Sequence, residues 1–205
     1  MSLFRTSYRS INESADLLYK SKGSKFYTFA FPVVNEQQIK DKLNELRLRY
    51  PDATHHCYAY CLYPDASIFR ANDDGEPSGT AGRPILRQIQ KLELTNTLVV
   101  VVRYFGGTLL GVPGLIEAYG DSAAECLAKC SISEHDIYEI YQLDAPFGIE
   151  NEVYKLCKQL RLSPILLNSN DYFSVQIKVP LRMADSFKKA VSQQYQLKLK
   201  YIGVG

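Results

Sequence analysis

The stretch Thr97–Gly120, TLVVVVRYFGGTLLGVPGLIEAYG, decides the architecture. Its first six residues, Thr97 to Val102, are apolar or β-branched with no charged interruption. A strand that reads this way has no solvent-facing side, so it is predicted to run through the middle of a sheet covered on both faces. Arg103 ends the run, Gly106-Gly107 turns the chain, and a helix is predicted from near Pro113, whose fixed φ suits a first helical turn. Along that helix Leu115, Ile116, Tyr119, Ala123, Cys126, Leu127 and Cys130 share one face. Strand, glycine turn and helix in succession point to an α+β domain.

Working outward, Lys25–Val34 (KFYTFAFPVV) reads as a strand. Asn35 is a good N-cap for a helix that places Ile39, Leu43, Leu46 and Tyr50 on one side and stops at Pro51. THHCYAYCLY alternates across a sheet and SIFRAND pairs with it behind Tyr63-Pro64-Asp65. GRPILRQIQKL is a short helix. Beyond Ile132–Asp136 (ISEHD) the rhythm changes to strand, helix, strand, strand, helix, strand, with the hairpin turn at Asn168-Ser169-Asn170-Asp171. That order is the split βαβ of ferredoxin-like folds. The expectation is two domains, residues 1–133 and 134–205.

With 205 residues, 46% of them apolar and 22% charged, the chain can bury real cores. No apolar run approaches the roughly 20 residues of a membrane helix. The first residues lack the apolar core and cleavage site of a signal peptide, so a cytoplasmic location is expected and no membrane partner. Five cysteines, an odd number, fit buried reduced thiols. Net charge is only +2, yet residues 148–205 carry nine Lys or Arg against four acids. That surplus suits either a solvated face or a contact with phosphate backbone.

Two glycine-rich segments carry the chemistry. In Asp73–Pro84 (DDGEPSGTAGRP) the glycines free the backbone, so the amides around Gly79 and Gly82 can converge on one anion. Ser78, Thr80 and Arg83 add hydroxyls and a guanidinium. Arg103, Tyr104, Gly106, Gly107 and Thr108 repeat these ingredients beside a helix start. A phosphate or carboxylate ligand bound between the two loops is one reading. Asp73, Asp74 and Glu76 capping amides or pairing with Arg70, Arg83 or Arg103 is the other. The same three carboxylates would serve a metal-assisted hydrolase acting on a small anionic substrate. His55-His56-Cys57 with Cys61 lacks the spacing of a zinc set, so no metal site and no cofactor are expected. His56 with Tyr58 and Tyr60, on the other side of the same strand, could stack bases.

Four segments in order, SKF (Ser24–Phe26), DATHHCYAY (Asp52–Tyr60), DDGEPSGTAGRPIL (Asp73–Leu86) and VVVRYFGGTLLG…GLIEAYG (Val100–Gly120), resemble the Impact/YigZ family. The resemblance covers about residues 20–130 and extends to the bacterial C-terminal extension. It implies a first domain similar to ribosomal protein S5 domain 2 and a second similar to the last domain of elongation factor G. Relatives of both kinds sit on RNA or the ribosome; eukaryotic Impact proteins act in translational control by a route that uses an additional N-terminal domain, and that route is not carried over. The family usually reads LGAGGLVRAY where this chain has LGVPGLIEAY, so Pro113 stands for a glycine and Glu117 for an arginine. The expectation is a non-enzymatic translation regulator binding RNA or ribosome-associated components, with a protein partner also open. A metal-assisted hydrolase is the alternative.

Overall fold

The computed structural model describes residues 5–167 and 171–204. These form two compact units, one spanning Tyr8–His135, the other joining the residues up to Ser7 with those from Asp136 onward.

The first unit is built on a five-stranded sheet in the order β2-β3-β6-β4-β5, from β2 (Ala15–Ser21), β3 (Ser24–Pro32), β4 (His55–Leu62), β5 (Ile68–Asn72) and β6 (Thr97–Tyr104). Every neighbouring pair in it is antiparallel. The apolar run is the middle strand, and Leu98 to Val102 are all buried. Helices cover both sides, which is why an antiparallel strand here lacks the usual polar alternation. One side holds Phe29, Tyr58, Tyr60, Val100 and Val102 against helix α1 (Glu36–Arg49) through Ile39, Leu43 and Leu46. Asn35 caps α1, its side chain accepting the Gln38 amide at 2.9 Å, a bond worth about 1 kcal/mol. The other side packs Phe26, Cys57, Ala59, Val99 and Val101 against α2 (Gly82–Lys91) and α3 (Gly111–Ala128).

Two differences from the sequence reading bear on function. Ile116, expected on the inward face of α3, is 37% exposed, and Cys130 falls beyond the helix end, half-buried. The boundary segment is itself β7 (Ile132–Asp136), which pairs with β1 (Ser7–Ile11) in a two-stranded ribbon. Short, half-polar strands such as these carry little periodicity to read.

In the second unit β8 (Tyr138–Ala145), α4 (Glu150–Gln159), β9 (Pro164–Leu167), β10 (Phe173–Pro180), α5 (Ala184–Ser192) and β11 (Lys198–Val204) give the sheet order β11-β8-β10-β9. Numbered within the unit this is 4-1-3-2, all antiparallel, the ferredoxin-like arrangement. Leu143, Val175, Ile177 and Val179 meet Val153, Leu156, Phe187 and Val191 of the helices in a third core. The turn residues Asn168, Ser169 and Asn170 lie outside the described residues. Among the described residues no helix is long and apolar enough to cross a membrane.

Candidate functional site: a pocket at the end of the central strand

The first glycine segment supplies its own anion. Asp73 Oδ2 accepts the Gly79 amide at 2.8 Å, while Oδ1 accepts those of Ala81 at 3.0 Å and Gly82 at 2.8 Å. The cradle expected for a phosphate is therefore filled by a side chain six to nine residues upstream, and its amides are not free for a ligand. Thr80 is buried with its hydroxyl donating to the Pro77 carbonyl at 2.7 Å. Asp74 Oδ2 accepts the His56 amide at 2.7 Å. Ser78 and Arg83 are exposed to solvent. Gly82 lets the loop press on β5, since a Cβ there would stand 2.5 Å from the Asn72 nitrogen.

The second segment meets the first through one ion pair. Arg103, 5% exposed, reaches from the end of β6 and donates from Nη1 to Glu76 Oε1. Tyr119 of α3 donates its hydroxyl to the same oxygen at 2.8 Å, and the Cys57 thiol lies 3.3 Å from that hydroxyl. A chain of hydrogen bonds thus ties β4, the loop, β6 and α3 together. Burial, opposed by the Tyr119 contact and reinforced by Glu76, pushes the Cys57 thiol far up, and burial with the Cys57 contact does the same to the Tyr119 phenol. Neither is poised as a nucleophile or base near neutral pH.

His55 completes the floor. Its Nδ1 is 2.7 Å from the Asp74 carbonyl, an atom that can only accept, so Nδ1 carries the proton. Its Nε2 stands 3.8 Å from Glu76 Oε1. Above His55, Glu76 and Arg103 opens a pocket of about 460 Å³. Its walls are mostly apolar, from Pro77, Phe105, Leu109, Leu110, Val112 and Leu115, with Thr54 as a polar member. So the two glycine segments do come together, but at Glu76 and Arg103 and over mostly apolar walls.

The other expected residues lie elsewhere. Gly106 packs its backbone on Gly23 and donates to Ser24 Oγ at 3.2 Å. Gly107 and Thr108 are exposed. Tyr104 donates its hydroxyl to Asp52 at 2.8 Å and meets the Tyr27 ring edge-on. His56 and Tyr58 are each 8% exposed beneath α1, so the proposed stacking platform is corrected to core. Alternation placed them on the opposite face from Cys57, but that face is covered by a helix. Asp73, Asp74 and Glu76 point into three different sets of partners, and among the described residues no group of three or more His, Cys, Asp or Glu is arranged to hold a metal. Sequence reasoning missed the role of His55, Tyr119 and the wall residues Phe105, Leu109 and Val112. The signal was present in Leu109-Leu110 and Val112, apolar residues in a loop and first turn where polar ones are usual.

The buried His56 gives a pH test. Burial lowers its imidazole below the ordinary 6.5, against the pull of Asp74. The folded state then binds a proton less readily than the unfolded chain. The stabilising difference is complete above pH 6.5 and is lost as pH falls toward the folded value. Stability should drop from pH 6.5 downward, with a slope of at most about 1.4 kcal/mol per pH unit from this one group. His56→Leu should remove that component in urea titrations across pH 5–8, and identical slopes for the two proteins would refute it.

A five-stranded sheet with helices on both faces and a pocket where its central strand ends, followed by a ferredoxin-like unit, defines a two-unit α+β class. Residues 22–127 match the family model for the Impact N-terminal domain. A Bacillus subtilis (strain 168) protein described as IMPACT family member YvyE is 35% identical over 175 residues, covering 83% of this chain and 80% of that protein. IMPACT family member YigZ of Escherichia coli (strain K12) is 35% identical over 135 residues, covering 63% of this chain and 66% of that protein. A crystal structure described as that of a hypothetical protein superposes with a TM-score of 0.75 at 28% identity, over 97% of this chain and 98% of the other. The chain belongs to the IMPACT family.

Proposed function

We propose that the chain is a cytosolic, non-catalytic regulator of translation that acts by binding ribosomal or ribosome-associated components. The observation that carries the binding reading is the pocket itself. Its buried ion pair, Glu76 with Arg103, is neutralised internally, and its walls are mostly apolar. Such a cavity recognises shape and apolar surface. The link to translation rests on IMPACT family membership and on the ribosome- and RNA-bound relatives that the resemblance gives for both domains. An RNA contact, in this reading, falls to the second unit. Lys178, Lys198 and Lys200 stand exposed on the side of its sheet opposite the core residues Val175, Ile177 and Leu143, because they alternate with inward residues or pair across with outward ones.

The test is co-sedimentation of the purified chain with ribosomes through sucrose, together with a cell-free translation assay. A fraction of the chain should pellet with ribosomes and change reporter yield, and Lys198→Glu with Lys200→Glu should reduce the salt-sensitive part. Pelleting no greater than that of an unrelated protein of equal charge would sink the proposal.

A further inference from the structure

Around the mouth of the pocket the chain leaves large apolar side chains in solvent. Phe105 is 47% exposed, Leu109 84%, Val112 52% and Ile116 37%. Phe105, Leu109 and Val112 line the pocket, and Ile116 stands one helical turn along α3 from Val112. Isolated exposed apolar residues need no explanation, but three lining one cavity, with a fourth one turn along the helix, form a patch of the kind that marks an interaction site.

Another flank of the same helix is acidic. Glu117, Asp121 and Glu125 recur every four residues, starting next to Ile116 in sequence but on the flank of α3 turned about 100° or more away from it. They lie together around Tyr19, whose hydroxyl donates to Asp121 at 3.5 Å and whose phenol is pushed up by burial and then by all three carboxylates. Among the described residues none of the three carboxylates forms an ion pair with a lysine or arginine. Glu117 and Glu125 are eight positions apart, about 12 Å at the helical rise.

An apolar pocket at the start of α3, with an acidic flank that begins about one turn further along the same helix, selects the occupant by charge complementarity. Phosphate backbone is repelled by the three carboxylates, and the pocket's only guanidinium is already held by Glu76. We propose that this face docks a basic amphipathic protein segment, its apolar side chains entering the pocket between Phe105 and Val112 and its Lys or Arg residues lying along Glu117, Asp121 and Glu125. The inference rests on the binding reading of the same pocket and gives its partner a chemical class: a cationic polypeptide, not RNA.

The experiment is selection of a random 16-residue peptide library displayed on phage against the full chain, followed by fluorescence anisotropy with the enriched peptides. Enriched peptides should carry apolar residues at three- and four-residue spacing with at least two flanking Lys or Arg. Val112→Asp should weaken them at least tenfold. The pair Glu117→Lys and Asp121→Lys should weaken them about tenfold and favour acidic peptides in a repeat selection. All three positions are exposed, so folding should be unaffected, with circular dichroism as the check. Peptides without cations, binding indifferent to these substitutions, no enrichment at all, an RNA oligonucleotide whose binding Val112→Asp abolishes, or self-association that Val112→Asp abolishes would each overturn the inference. If ribosome co-sedimentation persists while any of those is found, only this inference fails; if peptide capture succeeds and co-sedimentation does not, the ribosomal reading fails instead.

Discussion

Replacing Arg103 by alanine should lower the stability of the first unit by about 3–5 kcal/mol. Arg103 is 5% exposed and its partner Glu76 9%, so the pair sits where water cannot take over for a missing charge. Removing the guanidinium leaves the Glu76 carboxylate buried with only the Tyr119 hydroxyl as a close donor. It also strips the Arg103 contact with the Phe26 ring, 5.5 Å from the guanidinium carbon. The double substitution Arg103→Met with Glu76→Gln should recover much of the loss, because no charge is then buried alone. Arg103→Lys should fall between, since one ammonium cannot bond both Glu76 and Ser24 Oγ as the forked guanidinium does. Urea denaturation followed by circular dichroism reads all three, with hydrogen exchange at the β6 amides reporting the first unit alone. A loss below about 1 kcal/mol for Arg103→Ala would mean the pair is solvated and the pocket floor wrongly described.

The central strand was legible from its unbroken apolar run, and α1 with its Asn35 cap and the ferredoxin-like order from longer periodic signals. The site was legible only in part, for a physical reason. A loop rich in glycines beside carboxylates announces that amides will meet an anion, but not whether the anion comes from a ligand or from the chain. Here Asp73 takes that place. Alternation in β4 separated His56 and Tyr58 from Cys57 correctly, yet alternation cannot say that α1 covers the second face. Ile116 was read inward because it sits one position from Leu115 on an apolar arc. Its exposure is visible only once α3 is placed, and with it the apolar patch beside the pocket.

The two glycines of the turn after β6 look interchangeable in the sequence and should behave very differently. At Gly106 an added Cβ would fall 1.9 Å from the Gly23 carbonyl carbon and 2.2 Å from both the Gly23 oxygen and the Ser24 nitrogen. These are backbone atoms of β3 and its preceding turn, held by the β2–β3 hairpin and by pairing of β3 to β6, so they cannot give way as a side-chain tip would. Gly106→Ala must therefore push the turn off β3, break the Gly106 bond to Ser24 Oγ and carry Phe105 away from the pocket. The expected loss is about 3 kcal/mol or more. At Gly107 nothing lies within 4 Å of the same added atom, and the only obstacle is a φ of +83°. Gly107→Ala should cost about 1 kcal/mol, the ordinary strain of an L-residue in the left-handed region. The peptide-capture assay separates them again: Gly106→Ala should lose capture through Phe105, while Gly107→Ala should keep it at conditions where the fold persists. Equal costs for the two substitutions would show that β3 does not meet the turn so closely, and the pocket wall it supports would lose its physical basis.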